Sequence, residues 1–188
     1  SGATVTVNSK PAVDFDGSSD YLSAGTVTLN PSPKTVLTFA GVFQFDTVAS
    51  AQYIASHWSG TVSQQVFGFL NLATASLRFM ARFQNNTNSR VDTGSSTVAA
   101  NTQYVGVGQF KSNHSKGVFN GVNYSDTNVN STVNHGTSPF AIGHRADTGA
   151  AKLNGKVQEF VVWSQITASA AHDRDAISQA MDDHYGVY

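Results

Sequence analysis

The chain has no cysteine. A disulfide, a zinc–thiolate centre and a cysteine nucleophile are therefore excluded. Glutamate is nearly absent: Glu159 stands alone, and aspartate supplies every other acid. Charged residues are only 12% of the sequence, about half of the ~25% usual in soluble domains. The net charge of −1 leaves no basic field to hold nucleic acid or an anionic membrane surface, so neither is expected as a partner. No apolar run approaches the ~20 residues of a membrane span, so membrane insertion is not expected either. No signal peptide is visible. The lack of cysteine allows a cytosolic setting and equally a secreted bacterial or viral one.

What replaces charge is Ser, Thr, Asn and Gly, a composition of turns and exposed sheet faces. Against it stand 40% hydrophobic residues and 12 phenylalanines, enough for a real core and against disorder. We find no linker and no repeat, and read residues 1–188 as one domain. The opening Ser1-Gly2 reads as a domain cut from a larger protein or as a cloning remnant.

Period-two alternation marks the strands. Thr35–Phe45 is the clearest, with Leu37, Phe39, Phe43 and Phe45 on one face and Thr38, Ala40 and Gln44 on the other. Ser76–Gln84 sets Leu77, Phe79 and Phe83 against Arg78, Met80 and Arg82. Gln103–Lys111 sets Val105 and Val107 against Tyr104 and Phe110. Further strands are expected at Ala12–Asp16, Tyr21–Ser23, Gln52–His57, Val66–Leu70, Lys116–Asn120, Phe140–Gly143 and Lys156–Ser164. Asp16-Gly17, Asn120-Gly121 and Asn154-Gly155 are hairpin-type turn dipeptides. One helix is expected over Ser169–Tyr185, capped by Ser169 or Thr167, with Ile177, Met181 and Tyr185 as its docking stripe and Gly186 as its stop. Many short strands punctuated by turns predict an all-β sandwich or jelly roll.

Several of these pieces carry a resemblance. Ala12-Val-Asp-Phe-Asp-Gly-Ser-Ser-Asp-Tyr-Leu22, Leu37–Asp46, Tyr104–Phe110 with Gly117–Gly121, Phe140–Gly143 and Leu153–Trp163 resemble, in order, the strands of laminin-G-like domains of the concanavalin A-like lectin/glucanase superfamily. The ending Asp182–Tyr188 is similar to endings of such domains in bacteriophage structural proteins. The resemblance implies an all-β, two-sheet antiparallel jelly-roll sandwich (concanavalin A-like) with one short C-terminal helix. It also implies a recognition or adhesion role in an extracellular or virion protein, although fold alone does not settle function.

Catalysis is tested by the acids. Retaining glucanases of similar fold place two Glu and an Asp at alternate positions of one strand, so that paired carboxylates can act as acid and nucleophile. A chain with Glu159 alone cannot build that motif. Lyase-like residue types occur (His57, Arg78, Arg82, Gln109, Tyr104), but without a short motif. No Gly-x-Ser-x-Gly elbow, nucleotide-binding glycine loop or His-Glu-x-x-His occurs. No catalytic residue is assigned. Glu159, flanked by apolar residues, reads as half buried and paired with an arginine or a backbone donor.

The superfamily often carries calcium at the sandwich rim. Here Asp16 and Asp20 flank a tight turn and are the candidate ligands of a structural Ca²⁺, although ordinary turn chemistry explains them too. For a sugar, an aromatic platform and planar polar groups are needed. His57-Trp58 at a strand end supplies one candidate. His144, Arg145 and Asp147 supply a donor, a fork and an acceptor in one loop. Arg78 and Arg82 share the polar face of their strand. The function expected is a non-catalytic module binding carbohydrate or a cell-surface glycan, with several copies adding avidity. The alternative is an assembly domain of a phage particle that packs against other virion subunits and binds no sugar.

Overall fold

Phenylalanine spacing organises the architecture. In the computed structural model, residues 3–29, 36–61, 65–83, 88–126, 136–165 and 173–188 are described. Their strands are β1 (Ala3–Val7), β2 (Lys10–Asp16), β3 (Leu22–Leu29), β4 (Val36–Phe45), β5 (Gln52–His57), β6 (Phe67–Leu72) and β7 (Ser76–Arg82). Then follow β8 (Asn88–Asp92), β9 (Gln103–Lys111), β10 (His114–Phe119), β11 (Val122–Asp126), β12 (Gly136–Ile142), β13 (Asn154–Gln165) and the helix α1 (Arg174–Tyr185). They form a seven-stranded sheet in the order β1-β2-β13-β4-β9-β10-β11 and a six-stranded sheet in the order β3-β12-β5-β6-β7-β8. Every pairing described is antiparallel. The expected all-β sandwich with one short C-terminal helix is what the chain forms.

Between the sheets lies the main core. Leu37, Phe39, Phe43 and Phe45 of β4 meet Phe67 and Phe69 of β6 and Leu77 and Phe79 of β7. Phe39 stacks on Phe67 at 4.9 Å between centroids, and Phe69 on Phe79 at 5.0 Å. Rings of this size fit only because glycines face them. A Cβ on Gly106 would sit 2.7 Å from Phe69, one on Gly108 2.9 Å from Phe39, and one on Gly117 2.9 Å from Phe79. Gly106 pairs with Gly41, and Gly108 with Gly117, so the small residues run across neighbouring strands.

The other face of the seven-stranded sheet is covered too. Ala40, Val42, Val105, Val107 and Val118 pack with Met181, joined by Ile177, Tyr185, Val161 and Trp163. The stripe read at i, i+4 and i+8 is thus the docking face of α1. Its N-cap is Asp173, whose carboxylate accepts from the N–H groups of Asp175 and Ala176 at 3.0 and 3.2 Å. Ser169 and Thr167, expected as caps, lie outside the described residues, as do Thr35 and Gln84. Gly186 ends the helix at φ 63°. Buried Asp182 then accepts from the N–H groups of Val187 and Tyr188 at 2.9 and 2.7 Å. Glu159 is half buried under α1, and its partner is the Tyr185 hydroxyl rather than an arginine.

Among the turns, Asn120-Gly121 joins β10 to β11 with φ 43° and 72°, the left-handed pair of a tight hairpin. Asn154-Gly155 is not a turn: both residues open β13, and a Cβ on Gly155 would lie 2.1 Å from the Gln44 carbonyl oxygen. A hairpin without glycine, Asn8-Ser9, joins β1 to β2 at φ 48° and 62°. Among the described residues, no helix is long and apolar enough to cross a membrane.

Two outcomes are expected. Gly106→Ala, which drives a methyl group into Phe69, lowers stability by about 1–3 kcal/mol in urea unfolding. Acid destabilises the fold before the carboxylates titrate. Burial, joined by the charges of Lys111, Arg174 and Lys116, pushes His114 from 6.5 down to about 4, and burial also pushes His57 down. The unfolded chain binds these protons near 6.5, so their stabilising contribution is complete above that pH and is lost as pH falls from 6.5 toward 4. The urea midpoint drops over this window, and His114→Gln flattens the drop.

Candidate functional site

With α1 on the seven-stranded sheet, the outer face of the six-stranded sheet holds most of the expected site. Alternation in β7 sends Leu77, Phe79 and Ala81 inward and Arg78, Met80 and Arg82 outward. In β8, Ser89 and Val91 are buried while Asn88, Arg90 and Asp92 are exposed. Tyr53 and Met80 lie over Gly68, since a Cβ there would stand 3.1 Å from each. Tyr53, Leu70 and Met80 are almost fully covered, at 5–8% exposure.

The loop from His144 to Lys152 forms a ridge across this face. Ser56, fully buried, ties it down: its Oγ donates to the His144 carbonyl at 3.2 Å and accepts the Ala146 N–H at 2.9 Å. The Tyr53 N–H donates to the Ala151 carbonyl at 2.9 Å. On one flank, Arg145 clamps Asp147 through contacts of 2.9 and 2.8 Å, and its guanidinium carbon lies 6.0 Å from the Trp58 ring centre. Burial raises the Tyr53 pKa, and the charges of Arg145, Asp147 and Arg78 all reach that phenol. Arg78 makes a fork with Asp92 at 2.7 Å for both bonds. Arg82 donates to the Asn88 side-chain oxygen at 2.7 Å.

On the other flank is a cleft of about 420 Å³ lined by Tyr21, Ser23, His144, Thr148, Gly149 and Lys152, within the roughly 300–1,000 Å³ typical of small-molecule sites. Tyr21 is 47% exposed and meets His144 edge to face at 4.5 Å. The His144 Nδ1 lies 2.8 Å from the Arg145 carbonyl, which can only accept. In the neutral ring Nδ1 therefore carries the proton, and Nε2 is an acceptor. Lys152 donates to the Ser18 carbonyl and joins the cleft to the 16–20 turn.

The expected residues thus separate. Arg78, Arg82, Arg145 and Asp147 share the sheet face with Trp58, and His144 belongs to the cleft. Two expectations need correction. His57 is fully buried, with Nε2 3.0 Å from the Val27 carbonyl, because the alternation of β5 turns it inward. Trp58 is 6% exposed and is no open platform. The chain keeps pairing past β5 (Trp58 N–H to the Pro139 carbonyl, 3.2 Å), and Arg145 covers the ring.

Asp16 and Asp20 do not present a calcium cage. One Asp16 oxygen accepts the N–H groups of Ser18, Ser19 and Asp20 at 2.7–3.1 Å. The other accepts the Ser18 and Ser19 hydroxyls at 2.7 and 2.8 Å. These donors hold its carboxyl well below the usual range. Calcium needs six to eight oxygens, and among the described residues no group of three His, Asp or Glu is disposed to hold a metal. The turn instead stiffens the segment that presents Tyr21. Tyr21 and Lys152 escaped the sequence reading. The signal for Tyr21 was an aromatic directly after an Asp-Gly-Ser-Ser-Asp turn; Lys152 had none.

No family model matches the chain, and no curated protein matches it. Solved structures do. The heptameric pentraxin of Limulus polyphemus aligns with a TM-score of 0.61 at 13% identity, over 93% of this chain and 82% of its own. The carbohydrate-binding module CBM40 of the Ruminococcus gnavus IT-sialidase, bound to α2,3-sialyllactose, aligns at 0.59 and 12%, over 89% and 95%. Mouse laminin α1 LG4–5 aligns at 0.59 and 10%, over 80% of this chain but 41% of that one. At 10–13% identity these likenesses show the fold alone: a two-sheet antiparallel jelly-roll sandwich with one short helix.

Ser56→Ala removes the two hydrogen bonds that Ser56 makes to the ridge and leaves the Tyr53–Ala151 bond. We expect about 1–3 kcal/mol lower stability and faster amide exchange at Ala146, read by hydrogen-exchange mass spectrometry.

Proposed function

We propose that residues 1–188 form a single lectin-like domain of a larger extracellular protein and act as a non-catalytic glycan-recognition or adhesion module. The observation that carries this is the half-exposed Tyr21, braced by His144 in an open cleft with Ser23, Thr148 and Lys152. An aromatic face takes the apolar side of a sugar ring, and hydroxyl, imidazole and ammonium groups take its hydroxyls. A carbohydrate-bound module among the structures of this fold supports the same ligand class. The acids support a non-catalytic role. Glu159 is engaged by Tyr185 under α1, and Asp14 and Asp46 share Lys156 at 3.3 and 2.7 Å. Neither set leaves a free acid beside a nucleophilic carboxylate in the cleft.

The narrower setting, a bacteriophage virion in which the domain binds or packs against other subunits, rests on the ending Asp182–Tyr188. In the fold those residues close α1 through Asp182 and Gly186. Helix capping is therefore a sufficient reason for their pattern, and we favour recognition over assembly.

A glycan array with matched Tyr21→Ala protein tests the proposal. The wild type binds a defined set of glycans, and the variant loses on the order of tenfold in affinity with its melting temperature unchanged. A wild type that binds no glycan yet forms a stable oligomer in solution overturns recognition in favour of assembly.

A further inference from the structure

Four of the five arginines of the chain stand on one surface. Arg78, Arg82 and Arg90 project from β7 and β8 on the outer face of the six-stranded sheet, and Arg145 leans over it from the ridge. The strands of this sheet carry a single acid, Asp92. Asp92 neutralises Arg78 and Asp147 neutralises Arg145. Arg82 and Arg90 are left without a carboxylate among the described residues. In a chain of net charge −1, this face therefore carries two guanidinium charges without a carboxylate partner among the described residues.

These charges are guanidinium rather than ammonium, and the difference is chemical. A guanidinium presents a planar fork that matches the two oxygens of a carboxylate. Arg78 already grips Asp92 this way, at 2.7 Å for both bonds, whereas Arg145 holds Asp147 through one hydrogen bond of 2.9 Å and an ion-pair contact of 2.8 Å. Arg82 has the same fork with less to hold. One nitrogen donates to neutral Asn88. Its Nε is buried and has no acceptor among the described residues, and burial lowers its pKa without an opposing charge to restore it. The Trp58 indole N–H, in a side chain 94% buried by its 6% exposure, also lacks an acceptor among the described residues. Trp58 and Arg82 lie at the same end of the face, linked through Val66, whose N–H donates to the His57 carbonyl at 3.1 Å and whose carbonyl accepts the Arg82 N–H at 2.9 Å. Two donors short of acceptors beside a covered floor of Tyr53, Leu70 and Met80 ask for an anionic, acceptor-rich group.

We propose that this arginine shelf is an anionic subsite that takes the carboxylate of an acidic sugar, with Arg82 as its bidentate partner and Arg90 as a second charge. The inference rests on the reading of the domain as a glycan binder and names the class of glycan. The Tyr21 cleft takes a sugar ring on one flank of the ridge, and the shelf takes an acidic residue on the other.

The test uses calorimetry at physiological salt with tetragalacturonate and sialyllactose, each beside its methyl ester, which keeps the shape and removes the charge. The proteins are the wild type, Arg82→Gln, Arg82→Lys, Arg82→Gln with Arg90→Gln, and Tyr21→Ala, with thermal melts confirming folding. At least one acidic probe should bind about tenfold or more tightly than its ester. Arg82→Gln should erase most of that preference, and Arg82→Lys should restore only part of it. Equal binding of acid and ester by the wild type, failure of both acidic probes to bind, or a preference that survives the double variant overturns the proposal. Tyr21-dependent binding of neutral glycans with no acid preference sinks the shelf and leaves the recognition module standing. Acid-selective binding indifferent to Tyr21→Ala sinks the cleft and leaves the shelf. Absence of binding to neutral and acidic glycans alike overturns both.

Discussion

The rest of the structure depends on how phenylalanine rings interlock with glycine backbone between the two sheets. Phe39, Phe69 and Phe79 occupy the space that side chains at Gly106, Gly108 and Gly117 would fill. Large against bare at registered positions lets the sheets approach while burying the most apolar surface, and protein interiors tolerate little departure from close packing. That contact sets the relation between the sheets. The registers follow from it, because a one-residue slip in β4 would carry Phe39 and Phe43 out to the helix side and Ala40 and Val42 inward.

A second consequence concerns which surface is left for function. The seven-stranded sheet is apolar on both faces at β4 and β9, so it must be covered twice, and α1 supplies the second cover. The six-stranded sheet has one continuous apolar face, toward the core; on the other, Tyr53, Leu70 and Met80 lie among polar side chains. Its other face carries the arginines and the ridge. The partition of site from scaffold is therefore a partition of hydrophobicity between two sheets. In a chain so poor in charge, short polar side chains do the fastening: Asp16 closes its own turn, Ser56 ties down the ridge, and Asp182 closes the helix end.

The strands hardest to read from sequence share one property. β1, β8 and β11 were not anticipated, and β3 was read as only Tyr21–Ser23. These are the edge strands of the two sheets. An edge strand buries little and carries few large apolar side chains: β8 offers only Val91, β1 is short and mostly exposed, and most of β3 is exposed. Edges are also where polar residues guard against further pairing. The same reasoning explains the site residues. Arg78 and Arg82 were legible because β7 alternates strongly. His57 was not, because β5 is buried along its whole length and carries no polar face to read.

By itself the sequence determined the class of fold, the inward faces of β4, β7 and β9, the docking stripe of α1 and, with Glu159 alone, the lack of a two-glutamate strand motif. Each follows from side-chain type and period, which are local properties. Only the tertiary structure decided that Tyr21 stands open while Trp58 is covered, that Asp16 bonds its own turn, and that four arginines from two strands and a loop share one surface. Exposure and charge neighbourhood depend on what the rest of the chain lays against a residue, and no spacing along one strand encodes that.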